Sequence, residues 1–375
     1  MVATLDVVLR NDTGASQLYA HVTGSDAAGL LLLRADGRTL YHPASPGGTL
    51  QPVGVDCAIA VGPSGSTRTI SVPRMASARI WFCKDQPLTF FINPGPALVE
   101  PSATNPSDVN YNLDWAFCEF TWNDQQLYAN LSFVDFVGLP VSLRLQTGDG
   151  SIKSVLGLPS NGLDQVCAKL EAQGRVDGKG WEKLVIRSPA SGAALRALSP
   201  NAGSVLVPGL FTGYYQSYVD AVWAKYAAKD LTVNTQFTWG DVKGRVGKDG
   251  RLAFAGVGSF GKPAAADIFS CSSGPFASGQ GVSLEMLNLG ARIAAAFNRS
   301  TLLINAVQPE GEKVSTYYQN AVTNHYSRIC HETSIASRGY AFPYDDVGPA
   351  GGSDQSGFVN DPNPQLLTIG VGKPL

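Results

Sequence analysis

The chain has 375 residues, 44% hydrophobic and 15% charged, with 41 Gly and 23 Pro. That balance excludes a disordered polymer, and the length exceeds the roughly 250–300 residues at which one core stops growing, so two structural units are expected. A formal net charge of -2 excludes a surface built to neutralise nucleic-acid phosphates, and no apolar run approaches the roughly 18 residues needed to cross a bilayer, so neither nucleic acid nor membrane is an expected partner.

The opening segment MVATLDVVLRNDTG has neither a basic start nor an apolar h-region, and the expectation is a secreted protein whose signal has been removed. Six cysteines, at 57, 83, 118, 167, 271 and 330, are even in number and lack CxxC spacing, which suits disulfides better than zinc chemistry. Sequons at Asn11, Asn130 and Asn298 fit the same export reading. From residue 4 to about 145, short apolar or alternating stretches (TLDVVLRN, QLYAHVTG, GLLLLRA, CAIAVG, RTISVP, ARIWFC, LTFFIN) are divided by Gly, Pro, Asn and Ser. This is the pattern of an all-β sandwich or barrel. Residues 93–112, NPGPALVEPSATNPSDVNYN, hold four prolines and little periodicity. They read as a long irregular loop, and loops of that length in compact domains are often functional.

Beyond residue 150 the period changes. Leu163, Val166, Cys167 and Leu170 predict a helix over 160–173, with Ser160 or Asn161 as cap and Gly174 as stop. Further helices are predicted at 212–229, 283–298 and 315–330, and strands in LTVNTQFTW and RLAFAGV. The tail returns to β-like pieces, GYAFPYDDV and QLLTIGVG. The expected architecture is therefore α+β: a β unit over 1–150 completed by 332–375, with a mixed α/β unit over 151–331 inserted.

Residues 118–140, CEFTWNDQQLYANLSFVDFVGLP, place Glu119 and Asp135 inside apolar and aromatic runs that otherwise read as strands. Carboxylates are depleted in strands and rarely buried unpaired, so each must face a wetted cleft or a counter-charge. Two acids on one cleft suit glycosidic bond hydrolysis, in which one protonates the leaving oxygen and the other activates a water or attacks the sugar carbon. The plainer alternative is two half-exposed strand carboxylates with no catalytic role. Alternation sets Phe117, Glu119 and Thr121 on one face and Cys118, Phe120 and Trp122 on the other. A tight hairpin centred near Gln125 would leave Glu119 and Asp135 about 16 Å apart at strand rise, so the turn is expected to be longer, or centred near Leu127. In FPYDDV, strand geometry would point Asp345 and Asp346 to opposite sides. His325 and His331, six apart, do not form the i, i+4 zinc pair, and no metal or other cofactor is expected. No GxSxG elbow is present. Tyr111, Trp115, Trp122 and Tyr128 offer either core or surfaces on which sugar rings stack.

The segments CEFTWN, LYANLSFVDFVGLPVSL, DIFSCSSGPFA, NRSTLL, YYQNAVTNHYSR and GYAFPYDDV, in that order from about residue 110 to the C-terminus, resemble the glycoside hydrolase family 64 β-1,3-glucanases, relatives of thaumatin-like proteins. The resemblance implies a thaumatin-like barrel and a mixed α/β domain flanking a wide U-shaped groove for β-1,3-glucan. It implies endo-acting hydrolysis with inversion, Glu119 as acid and Asp135 as base. Thr121 and Asn123 match sugar contacts near the cleavage point, and Tyr128 stands where bacterial members carry a tryptophan. Trp122, Asp345 and Asp346 are further candidates for substrate binding. A monomer acting on laminarin, curdlan or fungal wall glucan is the expectation. The alternative is a non-catalytic thaumatin-like β-glucan-binding protein.

Overall fold

The computed structural model describes residues 4–375. Met1–Ala3, which open the segment read for an export signal, lie outside the described residues. The architecture is mixed α/β with sheets predominating and six α-helices among the described residues.

Two sheets face each other across the first core. One has the strand order Ile152–Val155, Val141–Thr147, Pro364–Val371, Thr4–Asn11, Thr67–Pro73. The other runs Phe358–Asp361, Leu127–Asn130, Trp115–Trp122, Met75–Lys84, Leu18–Asp26, Gly29–Leu33, Leu40–Tyr41, with Ile59–Gly62 also paired to Leu18–Asp26. Period-2 alternation builds the interior: Thr4–Asn11 turns Leu5, Val7 and Leu9 inward and leaves Thr4, Asp6 and Arg10 exposed. Val22, Ile80, Phe82, Cys118, Phe120, Leu143 and Ile369 meet those side chains. The late strand Pro364–Val371 lies between two early ones, parallel to Thr4–Asn11 and antiparallel to Val141–Thr147.

The second core lies on the outer side of the larger sheet. Trp81, Trp115 and Phe117 pack there with Phe136, Trp181, Tyr215, Tyr226, Phe254, Phe297 and Tyr326. The helices Gly162–Asp177, Pro200–Leu206, Gln216–Ala228, Ala265–Ser270, Leu284–Arg299 and His325–Thr333 surround it, with a five-stranded sheet formed mainly by Leu231–Asn234, Asp241–Val246 and Leu252–Phe254. In Leu284–Arg299 the Ser283 hydroxyl accepts from the Met286 N–H and Ser300 ends the helix at φ 58, while Leu289, Ile293 and Phe297 enter the core. Strand Trp115–Trp122 is thus buried on both faces over its first half, and Glu119 and Thr121 emerge where the second core stops.

Several expectations are corrected. The first helix runs one turn past Gly174 to Asp177, with Gly178 in the left-handed C-cap. The helix expected over 315–330 is confined to His325–Thr333, because the Asn324 side chain caps it by accepting from the Ser327 N–H. GYAFPYDDV contributes an isolated bridge, Ser132 to Tyr340, and then turns rather than extending as a strand. The six cysteines are free and buried. Cys118 packs in the first core and Cys83, Cys167, Cys271 and Cys330 in the second; on adjacent strands Cys83 opposes Trp115 while Cys118 opposes Ile80. They act as small apolar side chains, not as staples. Asn11 and Asn298 are fully buried, which excludes a glycan on either in this fold.

Candidate active site

Glu119 is placed by the hairpin Trp115–Trp122/Leu127–Asn130, whose register pairs Trp122 with Leu127 and Glu119 with Asn130. The turn is tight, contrary to expectation. The Asn123 N–H donates to Gln126 O at 3.1 Å, and Asn123 Oδ1 accepts from the N–H groups of Gln125 and Gln126. Asp135 therefore does not lie opposite Glu119 in a ladder. After Asn130 the chain leaves the sheet: the Phe133 N–H donates to Tyr340 O at 2.7 Å and the Tyr326 hydroxyl to Phe133 O at 2.6 Å. Asp135 O then accepts from the Ser199 N–H, just before Phe136–Val137 pairs with Ala194–Leu198. This detour returns Asp135 to Glu119. Both line a cavity of about 450 Å³ with Arg79, Tyr128, Asn130, Ser132, Val134, Tyr340 and Pro343. Asp135 also borders an adjoining cavity of about 330 Å³, walled in part by Arg79, Glu100, Thr104 and Asn201.

Arg79, opposite Glu119 across the strand pair, organises the charge. Its Nε donates to Glu119 Oε1 at 3.1 Å and its Nη1 to Glu100 Oε2 at 2.6 Å. The guanidinium lies 4.6 Å from the Phe117 ring centroid and 5.3 Å from that of Trp81, an aromatic shelf that holds it. Asn130 Nδ2 donates to the other Glu119 oxygen at 3.3 Å. Burial lifts the Asp135 carboxyl above its ordinary range; Arg79 opposes the shift and Glu119 adds to it. Asp135 is exposed to solvent as a residue, yet its carboxyl sits in a concavity with protein on most sides, and that crowding removes enough water to penalise the charge. Glu100 is raised for the same reason, with Glu119 and Asp135 as like-charged neighbours.

Thr121 faces the same side as Glu119 and pairs across the hairpin with Tyr128. The Tyr128 ring stacks on Phe358 at 4.9 Å and 22°. Asn123 is exposed, its amide oxygen committed to the turn. Trp122 is corrected: it points into the first core at 8% exposure, because alternation places it opposite Glu119 and Thr121. Asp345 is likewise corrected. Its side chain has no exposed surface, Oδ1 accepts from Arg299 Nη2 at 3.2 Å, and Oδ2 accepts from the Ala341 N–H at 2.9 Å. His331 Nε2 lies 3.0 Å from Oδ2, within ion-pair range but outside hydrogen-bond angles. Asp346 is exposed and borders a separate cavity of about 220 Å³ with Arg299, Tyr317, Asp354 and Phe358.

Sequence reasoning missed Arg79, Glu100, Asn130, Ser132 and Tyr340. A signal existed for Arg79, the lone charge in MASARIWF, by the same rule that singled out the two acids. Glu100 lies in the proline-rich segment expected to be functional. Among the described residues no group of three or more His, Cys, Asp or Glu side chains is arranged to hold a metal ion, and no helix is long and apolar enough to cross a membrane.

The fold is shared with carbohydrate-degrading enzymes. A crystal structure of a laminaripentaose-producing β-1,3-glucanase in complex with laminaritetraose matches at a TM-score of 0.86 and 30% identity, covering 99% of each chain. A β-1,3-glucanase domain from Clostridium beijerinckii matches at 0.73 and 21% identity, again over 99% of each, a likeness of fold alone. The sequence is 32% identical over 381 aligned positions to the glucan endo-1,3-beta-glucosidase of Cellulosimicrobium cellulans and to that of Arthrobacter sp. (strain YCWD3); it spans 65% of the length of each, and 98% of this chain is covered. The glycoside hydrolase family 64 profile, described as Beta-1,3-glucanase, matches residues 3–371, and the chain belongs to that family.

Proposed function

We propose that this protein is an endo-β-1,3-glucanase that cleaves β-1,3-glucan with inversion at the anomeric carbon. The observation that carries this reading is the meeting of Glu119 and Asp135 on one open cavity beside Arg79. Glu119 gives its proton to the glycosidic oxygen, and Asp135 draws a proton from the water that attacks the opposite face of the sugar. A base must be ionised to act, so the lifted Asp135 carboxyl makes activity fall as pH drops through its raised value; above that value a more basic carboxylate is the better proton acceptor. Arg79 then faces the carboxylate that Glu119 becomes once its proton has left, which stabilises the charge developing there.

The substrate lies in a groove between a thaumatin-like barrel, residues 1–150 closed by 332–375, and a mixed unit over 151–331. The two cores and the late strands Phe358–Asp361 and Pro364–Val371 support that division. Thr121 and Tyr128 flank the acid and contact sugar, Asn123 borders the groove from the hairpin turn, and Asp346 serves a more distant sugar unit. Asp345 acts by holding Arg299 and the turn at Ala341 in place. The protein works outside the cell as a monomer on laminarin, curdlan or fungal wall glucan; the relatives' names support the β-1,3-glucan linkage of that substrate.

Glu119→Gln is expected to lower oligosaccharide release from laminarin by about 10²–10⁴-fold while curdlan binding survives. Proton NMR of fresh wild-type product should show the α-anomer first. Initial β-anomer would rule out inversion, and glucan binding without new reducing ends would leave a binding protein instead of an enzyme.

A further inference from the structure

We propose that Glu100 is a positioning residue for the acid: by holding one edge of the Arg79 guanidinium, it limits how much of that positive charge Glu119 feels and so sets the pH range over which Glu119 carries its proton. The assignment rests on the hydrolase reading above and goes beyond the two acids.

A guanidinium that faced Glu119 alone would form a resting ion pair, the wrong state for a proton donor. Here the fork is divided. Nε and Nη2 both lie 3.1 Å from Glu119 Oε1, while Nη1 makes the shorter contact, 2.6 Å, to Glu100. Arg79 cannot swing wholly to either side, because its plane rests on Phe117 and Trp81. Three carboxyls, Glu100, Glu119 and Asp135, thus surround one cation, and Glu100 and Asp135 border the same cavity. Such a cluster cannot ionise fully without like-charge repulsion, so its protons come off in coupled steps. The titratable groups facing Glu119 are Arg79, Glu100, Asp135, Tyr128 and Tyr340; those facing Asp135 are Arg79, Glu119, Glu100, Tyr128, Tyr340 and Tyr326. Glu100 is the member that touches Arg79 without being assigned to the sugar. Its backbone comes from the loop after Ala97–Val99, independent of the strands that fix Arg79 and Glu119.

The test is the pH profile of kcat/KM on laminarin for Glu100→Gln and Glu100→Asp. Glutamine keeps an oxygen to accept from Arg79 and removes one negative charge, which makes the protons on Glu119 and Asp135 easier to lose. Both limbs should therefore move to lower pH by roughly half a unit or more, with the thermal midpoint little changed. Aspartate should leave the limbs near their wild-type positions. A uniform drop in rate at every pH with unmoved limbs would reduce Glu100 to a structural contact and overturn the assignment. Carbon-13 NMR of the wild-type carboxyls provides a readout that does not depend on any variant folding: coupled, two-step titration of Glu100 and Glu119 is expected, and independent single steps would also overturn it. If the wild type releases no reducing ends, the hydrolase reading fails first; if it is active and the limbs coincide, only the role of Glu100 falls.

Discussion

Asp345 shows how a carboxylate can sit deep in a protein and still be ionised. Burial works against its charge, but His331, Arg299 and the Ala341 N–H together hold its carboxyl below the usual aspartate range. A depressed folded value adds stability that is fully present above the unfolded value of about 3.9 and is lost as pH falls through the folded one. Replacing Asp345 with Asn should cost about 3–5 kcal/mol near neutral pH, because Arg299 keeps its buried charge and loses a partner. Denaturant midpoints from pH 6 down to 3 should show the gap between variant and wild type narrowing with acid, and a constant gap would refute the charge argument. The rule that a charge inside an apolar run has a purpose is informative at Glu119 and Asp135, and applied to MASARIWF it would have reached the missed Arg79. Asp345 is grouped with the sugar-binding candidates by the resemblance of GYAFPYDDV, and a short motif does not distinguish a cleft from an internal ion pair.

The hairpin and the segment after it mark the limit of pattern reading at the scale of elements. Alternation located the strand of Glu119 and the face it shares with Thr121, since period 2 holds wherever a ladder continues. It failed for Leu131–Asp135, which departs from the ladder to bond with Tyr340, a partner more than two hundred residues away that no local pattern reports. Gly357 holds that departure in place. Its φ is +69°, its carbonyl accepts from the Leu131 N–H at 3.1 Å, and a Cβ would stand 2.8 Å from both Gly339 Cα and Gly339 N. Gly357→Ala should cost about 1–3 kcal/mol through strain and overlap, and should lower kcat/KM on laminarin because Asp135 hangs from the displaced segment. An unchanged thermal midpoint would dismiss the steric account. Helix limits are readable to within a turn at 283–298, where the structure shows Ser283 as the cap, and misread where the tyrosines of 315–323 imitate a helical face while serving the packing around Arg299.

Across the whole molecule, two cores share the sheet that carries Glu119, and five of the six cysteines are divided between them with none bonded. Burial pushes the Cys57 thiol up to about 11 and Cys118 to about 12, so neither reacts as a thiolate in the folded state. A thiol reagent should label essentially none of the native protein and all six sites after unfolding without reductant. A total below six would restore the disulfide expectation. Length leads to the expectation of two structural units, but an even cysteine count carries no information about which residues a cysteine packs against.

The position of Pro364–Val371 between Thr4–Asn11 and Val141–Thr147 has a consequence for biosynthesis. At about 5–20 residues per second, the ribosome delivers this strand roughly 20–70 s after the first one, so the opening strand must wait with an unpaired edge while the helical part is already able to condense. That interval, rather than the finished molecule, is when the chain is most exposed to aggregation, and a host with scarce holding chaperones should yield less of it than its final stability would suggest.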